Sequence, residues 1–232
     1  MQIFYAPDIS LHPELPEEEA GHAIRVLRLT EGEEILITDG KGFFYKATIV
    51  RAHPKHCVVS IWEKYPQPVL WNFHLHIAVA PTKNMDRMEW FVEKATEIGI
   101  NAVTCLHCRF SERKEIKTSR LEKIMVSAMK QSQKALLPRL EGMTAFKTFV
   151  SQPFSGRKYI AHCEPEEKSL LKHIYQPGED CLLLIGPEGD FSTEEIELAK
   201  ANGFVPVSLG ESRLRTETAA LVACHTIQLL NQ

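Results

Sequence analysis

The apolar positions of this chain change their period along its length, and the period predicts the elements. Residues 72–80 alternate, with Phe73, Leu75, Ile77 and Val79 on one face and His74 and His76 on the other, which predicts a strand. Residues 86–98 switch to helical spacing, with Met88, Phe91, Val92, Ala95 and Ile98 on one side. Asp86, with Glu89 three residues on, reads as the start of that helix and Gly99 as its end. A strand is expected at 102–106, a helix at 118–136 and a strand at 158–162. The run Cys181-Leu182-Leu183-Leu184-Ile185 is long enough for a buried strand and too short for a helix. It stops at Gly186-Pro187-Glu188-Gly189, a tight loop whose backbone can approach a ligand closely. Ser192 and Glu195 then form a capping box, and Asn202-Gly203 closes the helix that follows. A second short strand, 204–209, meets Gly210. The last helix starts near Thr216 and is apolar on nearly every side, which predicts burial.

The strand and helix alternation from residue 72 onward predicts a parallel α/β sheet. Residues 1–70 read as a separate, β-rich unit. A strand is expected at 1–5, helical spacing runs over 17–29, and strands at 33–38 and 43–50 flank the hairpin signal Asp39-Gly40-Lys41-Gly42. A further strand is expected at 56–62. Tyr65-Pro66-Gln67-Pro68 predicts a linker, giving domains at 1–68 and 69–232.

Composition narrows the class. A hydrophobic content of 44% with 25% charged residues is that of an ordinary globular protein. No apolar run reaches the ~20 residues of a membrane helix, and the first residues lack the pattern of a signal peptide. Six scattered cysteines suit reduced thiols in a cytosol. The lone Cys105-Leu106-His107-Cys108 lacks a second pair at metal spacing, so no metal is expected. The net charge of −3 is no sign of a nucleic-acid binder, but its distribution is. Residues 109–139 carry nine Lys or Arg against Glu112, Glu115 and Glu122. Arg120, Lys123, Lys130 and Lys134 fall on one side of the helix expected at 118–136. A charged face with so few interleaved acids points to phosphate contact.

Two strand, glycine-loop and helix units thus follow one another at the end of the chain. In open α/β sheets ligands bind beyond the carboxyl ends of strands, where such loops gather. No Gly-Lys-Ser/Thr follows Gly189 and no GxGxxG occurs, so neither phosphate motif applies. Pattern alone leaves ordinary strand-to-helix turns equally open.

The residues themselves carry more. Ile185-Gly186-Pro187-Glu188-Gly189, then Leu209-Gly210, then Leu214-Arg215-Thr216-Glu217-Thr218-Ala219, resemble the ribosomal RNA small-subunit methyltransferase E family, SPOUT-class enzymes that methylate a uridine at ring N3. His22 with Val26-Leu27-Arg28, Lys83, and Lys94 with Glu97-Ile98-Gly99 fit the same pattern. The resemblance implies an N-terminal PUA-like β-barrel that holds RNA, and a C-terminal α/β domain tied in a trefoil knot. It implies S-adenosylmethionine as cofactor, bound by Ile185, Gly186, Pro187, Glu188, Gly189, Leu209, Gly210, Leu214, Arg215, Thr216 and Ala219. Ribosomal RNA or the small subunit is the implied partner, and a homodimer in the cytoplasm the implied state. A non-catalytic RNA-binding module on the same fold is the alternative. The chain departs from the family at Lys130-Gln131-Ser132-Gln133-Lys134, where the family shows Glu-Gln-Ser-x-Arg, and at Gly189-Asp190, where it shows Gly-Gly.

Uracil N3 holds its proton and is a poor nucleophile, so the site must take that proton or stabilise the anion that forms. Arg215, a permanent cation, and Glu188, a loop carboxylate, are the candidate catalytic pair. Arg25, Arg28, Arg109, Arg113, Arg120, Lys123, Lys130 and Lys134 are the candidate RNA contacts.

Overall fold

The structure is a computed structural model that describes residues 2–232. The chain divides into two compact units, Met1–Val69 with Val126–Leu137, and Leu70–Met125 with Pro138–Gln232. A boundary drawn at the proline linker leaves 126–137 in the second domain, whereas packing groups this segment with the first.

In the first unit β1 (Ile3–Tyr5) precedes a helix, α1 (Glu17–Gly21), that continues as a π-helical turn at His22–Val26. Glu17, Glu18 and Glu19 in its first turn suit the positive end of the helix dipole. The helix stops short of the expected Leu29 because Arg28 is left-handed, with φ 58°. β2 (Glu34–Thr38), β3 (Phe43–Arg51) and β4 (Val58–Pro66) complete a four-stranded sheet in the order β1-β2-β3-β4. β4 runs through Tyr65 and Pro66, two residues expected in the linker, and an edge strand tolerates such a proline. Asp39 Oδ1 accepts the N–H groups of Lys41 and Phe43, and Asp39 Oδ2 accepts the Tyr45 hydroxyl, which ties the hairpin shut. One face of the sheet packs Phe4, Ile35, Ile37, Tyr45, Ala47 and Ile49 with Ala20 and Ala23. Ala135 covers Ile3 and Phe44 in a second cluster.

The second unit opens with β5 (Leu75–Val79), α2 (Met85–Ile98) and β6 (Ala102–His107). α3 (Thr118–Gln131) comes next, its residues from Val126 onward grouping with the first unit, and then β7 (Arg139–Ala145), α4 (Phe146–Val150) and β8 (Arg157–Ala161). The chain continues through β9 (Ser169–Leu170), α5 (Leu171–Ile174) and β10 (Cys181–Ile185). It ends with α6 (Thr193–Ala201), β11 (Val205–Ser208) and α7 (Thr216–Leu230). Seven strands form one sheet in the order β7-β6-β5-β10-β8-β11-β9, and every pair is parallel. β10 therefore lies between β5 and β8, and β11 between β8 and β9, each inserted among strands that precede it in the chain.

Several local expectations are corrected. Asn84, not Asp86, caps α2, its side chain accepting the Asp86 N–H at 3.0 Å. α3 ends at Gln131 rather than 136, because Gln133 is left-handed, with φ 55°, and the Lys134 N–H turns back to the Met129 carbonyl. His76 is buried, since both faces of a central parallel strand are covered. The capping box is present, with Ser192 and Glu195 bonded reciprocally. α2 and α7 pack side by side and parallel. Arg87 lies 3.8 Å from Glu217 at their starts, and Gln228 Nε2 donates to the Gly99 carbonyl at 2.8 Å near their ends.

Candidate functional site

The insertion of β10 and β11 brings three loops together at the carboxyl edge of the sheet. The loop after β8 starts at His162 and Cys163, the loop after β10 is Gly186–Asp190, and the loop after β11 runs from Leu209 to Arg215. Two hydrogen bonds stitch them. Thr216 Oγ1 donates to the Gly186 carbonyl at 3.1 Å, and the Cys163 N–H donates to Asp190 Oδ2 at 2.6 Å. The Arg213 charge is felt at the Cys163 thiol, whose pKa is raised, chiefly by burial and then by the Asp190 carboxylate. Lys168 closes the first loop on itself by donating to the carbonyls of His162 and Glu164. Burial, followed by the Lys168 charge, holds His162 below the ordinary imidazole range.

These loops suit an apolar, planar ligand with a polar rim. Leu209 and Leu214 are half-buried and Ile185 is buried. Gly210 has φ 131° and nothing within 4 Å of where a Cβ would stand, so the backbone there faces open space. Gly186 differs, because a Cβ would meet the Phe191 ring at 3.1 Å and the Phe191 backbone nitrogen at 3.2 Å. Gly186 is thus required by the packing of its own loop. Pro187 is buried, Gly189 is exposed beside Phe110, and Ala219 is half-buried in the first turn of α7.

The two candidate catalytic residues are both exposed at this edge. Glu188 Oε1 accepts the Lys83 N–H at 3.0 Å, which joins the β10 loop to the segment after β5. Arg215 is the N-cap residue of α7, and its guanidinium makes no ion pair among the described residues. Glu217, two residues on, is buried with one carboxylate oxygen lacking a hydrogen bond.

The candidate RNA residues differ in how exposed they are. Arg25 and Arg28 are exposed at the end of the first unit's helical segment. Lys130 binds Glu19 at 2.5 Å and Lys134 is 8% exposed, so both serve the packing of the first unit rather than standing as open cations. Arg109 pairs with Glu194 at 3.1 Å, and Arg120 with Glu89 at 2.5 Å. Lys123 is exposed on α3. Arg113 donates to the carbonyls of Thr82 and Lys83, at 3.2 and 2.5 Å. Lys83, Glu112, Arg113, Lys114 and Glu115 line a cleft of about 470 Å³.

Pattern reading passed over Thr82, Lys83 and Asp190 as parts of the site. Asp190 carried a signal, since Asp after Gly in a turn tolerates the left-handed conformation it takes here, with φ 66°. Lys83 fitted the family pattern without a role attached to it, and Thr82 carried no signal beyond its place at a strand end.

An RNA methyltransferase domain profile matches residues 70–228 and an RNA methyltransferase PUA domain profile matches residues 15–61. The chain is 32% identical to ribosomal RNA small subunit methyltransferase E of Synechocystis, over 89% of this chain and 69% of that protein. It is 28% identical to the Bacillus subtilis protein of the same name, over 97% of this chain and 91% of that one. Among solved structures, a probable rRNA methyltransferase from Porphyromonas gingivalis superposes with TM-score 0.95 at 45% identity, covering 100% of this chain and 98% of that one. A ribosomal RNA small subunit methyltransferase E from Neisseria gonorrhoeae, bound to S-adenosyl methionine, superposes with TM-score 0.87 at 26% identity, with coverage of 100% and 98%.

Proposed function

Because the chain belongs to the ribosomal RNA small subunit methyltransferase E family, we propose that it methylates small-subunit ribosomal RNA with S-adenosylmethionine and that its target is ring N3 of a uridine. The observation that carries the reading is the convergence of three loops, fastened by Thr216 to Gly186 and by Asp190 to Cys163. The apolar side chains of Ile185, Leu209 and Leu214 and the open backbone at Gly210 fit an adenosine.

When bound, the cofactor supplies an electrophilic methyl group on a sulfonium and departs as the neutral thioether. Glu188 takes the N3 proton on Oε2, the oxygen left open by its bond to Lys83. Arg215 stands against the ring carbonyl that gathers negative charge as the proton leaves. The nitrogen–carbon bond forms as the carbon–sulfur bond breaks, and Glu188 returns its proton to solvent. The first unit holds the RNA, with Arg25 and Arg28 as phosphate contacts, and in the second unit the exposed Lys114, Lys117 and Lys123 serve as phosphate contacts of their own.

The insertion of β10 and β11 among earlier strands supports a trefoil knot in the second unit. A cytosolic homodimer is part of the same reading. Trp90 on α2 and Leu229 on α7 are 41% and 55% exposed, a surface that a second copy covers. Mass spectrometry of small-subunit ribosomal RNA from a deletion strain, with and without complementation, tests the function. One methyluridine should vanish and return. A methylation map that deletion leaves unchanged removes the reading.

A further inference from the structure

Arg113 lies on the loop that follows β6, in the stretch whose charge first suggested RNA. Its guanidinium is engaged elsewhere. Nε donates to the Thr82 carbonyl at 3.2 Å and Nη2 to the Lys83 carbonyl at 2.5 Å. The Thr82 carbonyl and the Lys83 N–H are the two ends of one peptide group, and that N–H donates to Glu188 Oε1 at 3.0 Å. Cation, peptide and carboxylate therefore stand in line. The negative end of the peptide dipole meets the guanidinium and the positive end meets the carboxylate, so each hydrogen bond polarises and strengthens the other.

The peptide cannot swing away. Thr82 is fully buried, and its hydroxyl donates to the Asn84 carbonyl at 2.7 Å. Asn84 is fixed in turn as the cap of α2. Ahead of Thr82, the Ala80 N–H donates to the Ile185 carbonyl at 3.0 Å, tying this segment to the strand that carries the Glu188 loop. The Lys83 ammonium binds Glu112 at 2.9 Å, beside Arg113 itself. Among the described residues Glu188 Oε2 has no hydrogen bond, so the oxygen that stays open is selected by the one that is held.

We propose that Arg113 is a positioning residue for methyl transfer, acting through the Thr82–Lys83 peptide to fix the Glu188 carboxylate with Oε2 toward the substrate. The proposal rests on the reading of Glu188 as proton acceptor. It gives Arg113 a role distinct from phosphate contact, and the two roles differ in what they leave unchanged.

The test is a double-mutant cycle in single-turnover methylation of small subunits at saturating cofactor, using Arg113→Ala, Arg113→Lys, Glu188→Gln and the Arg113→Ala/Glu188→Gln pair. Arg113→Ala should slow the step by roughly 10- to 100-fold, the scale of a misplaced catalytic group. Arg113→Lys should recover part of the rate, since an ammonium reaches one carbonyl. In the Glu188→Gln background the Arg113 change should cost little more. Cofactor affinity by calorimetry and the salt slope of RNA binding should match the parent. If Arg113→Ala unfolds, the cycle is run with Arg113→Lys, judged by the same non-additivity. Multiplicative effects, or a flattened salt slope with an unaltered rate, overturn the positioning role while leaving Glu188 in place. A Glu188→Gln protein at full rate removes both readings.

Discussion

The Asp190 carboxylate accepts the Cys163 N–H at 2.6 Å and so binds the loop after β8 to the loop after β10. Asp190 is left-handed, at φ 66°, a conformation that costs a non-glycine residue roughly 1 kcal/mol. Its other oxygen accepts the Phe191 N–H at 2.8 Å, which offsets part of that cost. Asp190→Gly should relieve the backbone while releasing the tie. Calorimetry should show S-adenosylmethionine affinity reduced by roughly fivefold, about 1 kcal/mol, with thermal stability little changed. Undiminished affinity would show that the two loops hold their places without it.

Lys130 and the exposed lysines nearby should separate into two behaviours. The Lys130–Glu19 pair is 20% and 12% exposed, and Glu19 Oε2 already lacks a hydrogen bond. Lys130→Ala leaves a carboxylate buried alone and should destabilise the protein by about 3 kcal/mol in denaturant melts. Lys114 and Lys117 are exposed. Replacing both with Ala should leave stability unchanged and lower the salt slope of RNA binding by about 1.4–1.8. An RNA-binding defect in a fully stable Lys130→Ala protein would return that residue to the RNA surface.

His76 should make the protein acid-sensitive. Burial in the centre of the sheet pushes its pKa down to about 4 from the ordinary 6.5, against the raising effect of Glu141. Thr104 Oγ1 gives its one proton to Glu141 at 2.8 Å, so His76 Nε2 must be the donor in its 2.8 Å bond to Thr104. Because the folded pKa lies below the unfolded one, the unfolded chain takes up the proton first as pH falls. The cost to stability therefore begins near pH 6.5 and is complete near pH 4, amounting to about 2 kcal/mol between pH 7 and pH 5. Urea midpoints of the parent and of His76→Gln across that range check it. The variant should lose this part of the acid dependence, and equal slopes would rule out His76 as its source.

Leu229 offers the cleaner probe of assembly. Gln228, which an all-round apolar helix leaves ambiguous, is buried and bonded to Gly99, so charge placed there would break the monomer. Leu229 is 55% exposed and His225 is exposed. Leu229→Glu should shift sedimentation toward a monomer at micromolar concentration and lower methylation with it. A parent protein that sediments as a fully active monomer excludes the dimer.

The elements legible in the sequence were those whose signal is local. The 181–185 run, the Ser192–Glu195 box and the Gly99 terminator lie where their patterns place them, because each depends on a few adjacent residues. The misreadings involve partners far along the chain. His76 was read only as sharing a strand face with His74, and only the sheet order reveals that both faces of β5 are covered. Lys134 looked like a helix cation because nothing nearby marks Gln133 as the turning point. β7 was missed, with Gly142 interrupting its alternation, and β9 and α5 are two and four residues long, below what periodicity detects. At the site, the glycine loops were visible, whereas Arg113 and Lys83 come together only through the fold.

The strand order sets a timetable for synthesis. Within the sheet, β8 pairs only with β10 and β11, and β9 only with β11. Until residue 181 leaves the ribosome, the nascent second unit can assemble β5, β6 and β7 alone, with β5 presenting a bare edge and two finished strands waiting without neighbours. A chain cut before β10 lacks the centre of its sheet rather than its rim, and should be held by chaperones or aggregate instead of folding to a smaller domain. The loops after β8, β10 and β11, proposed to hold the cofactor, thus cannot converge until late in translation, because β10 and β11 are among the last strands to be made.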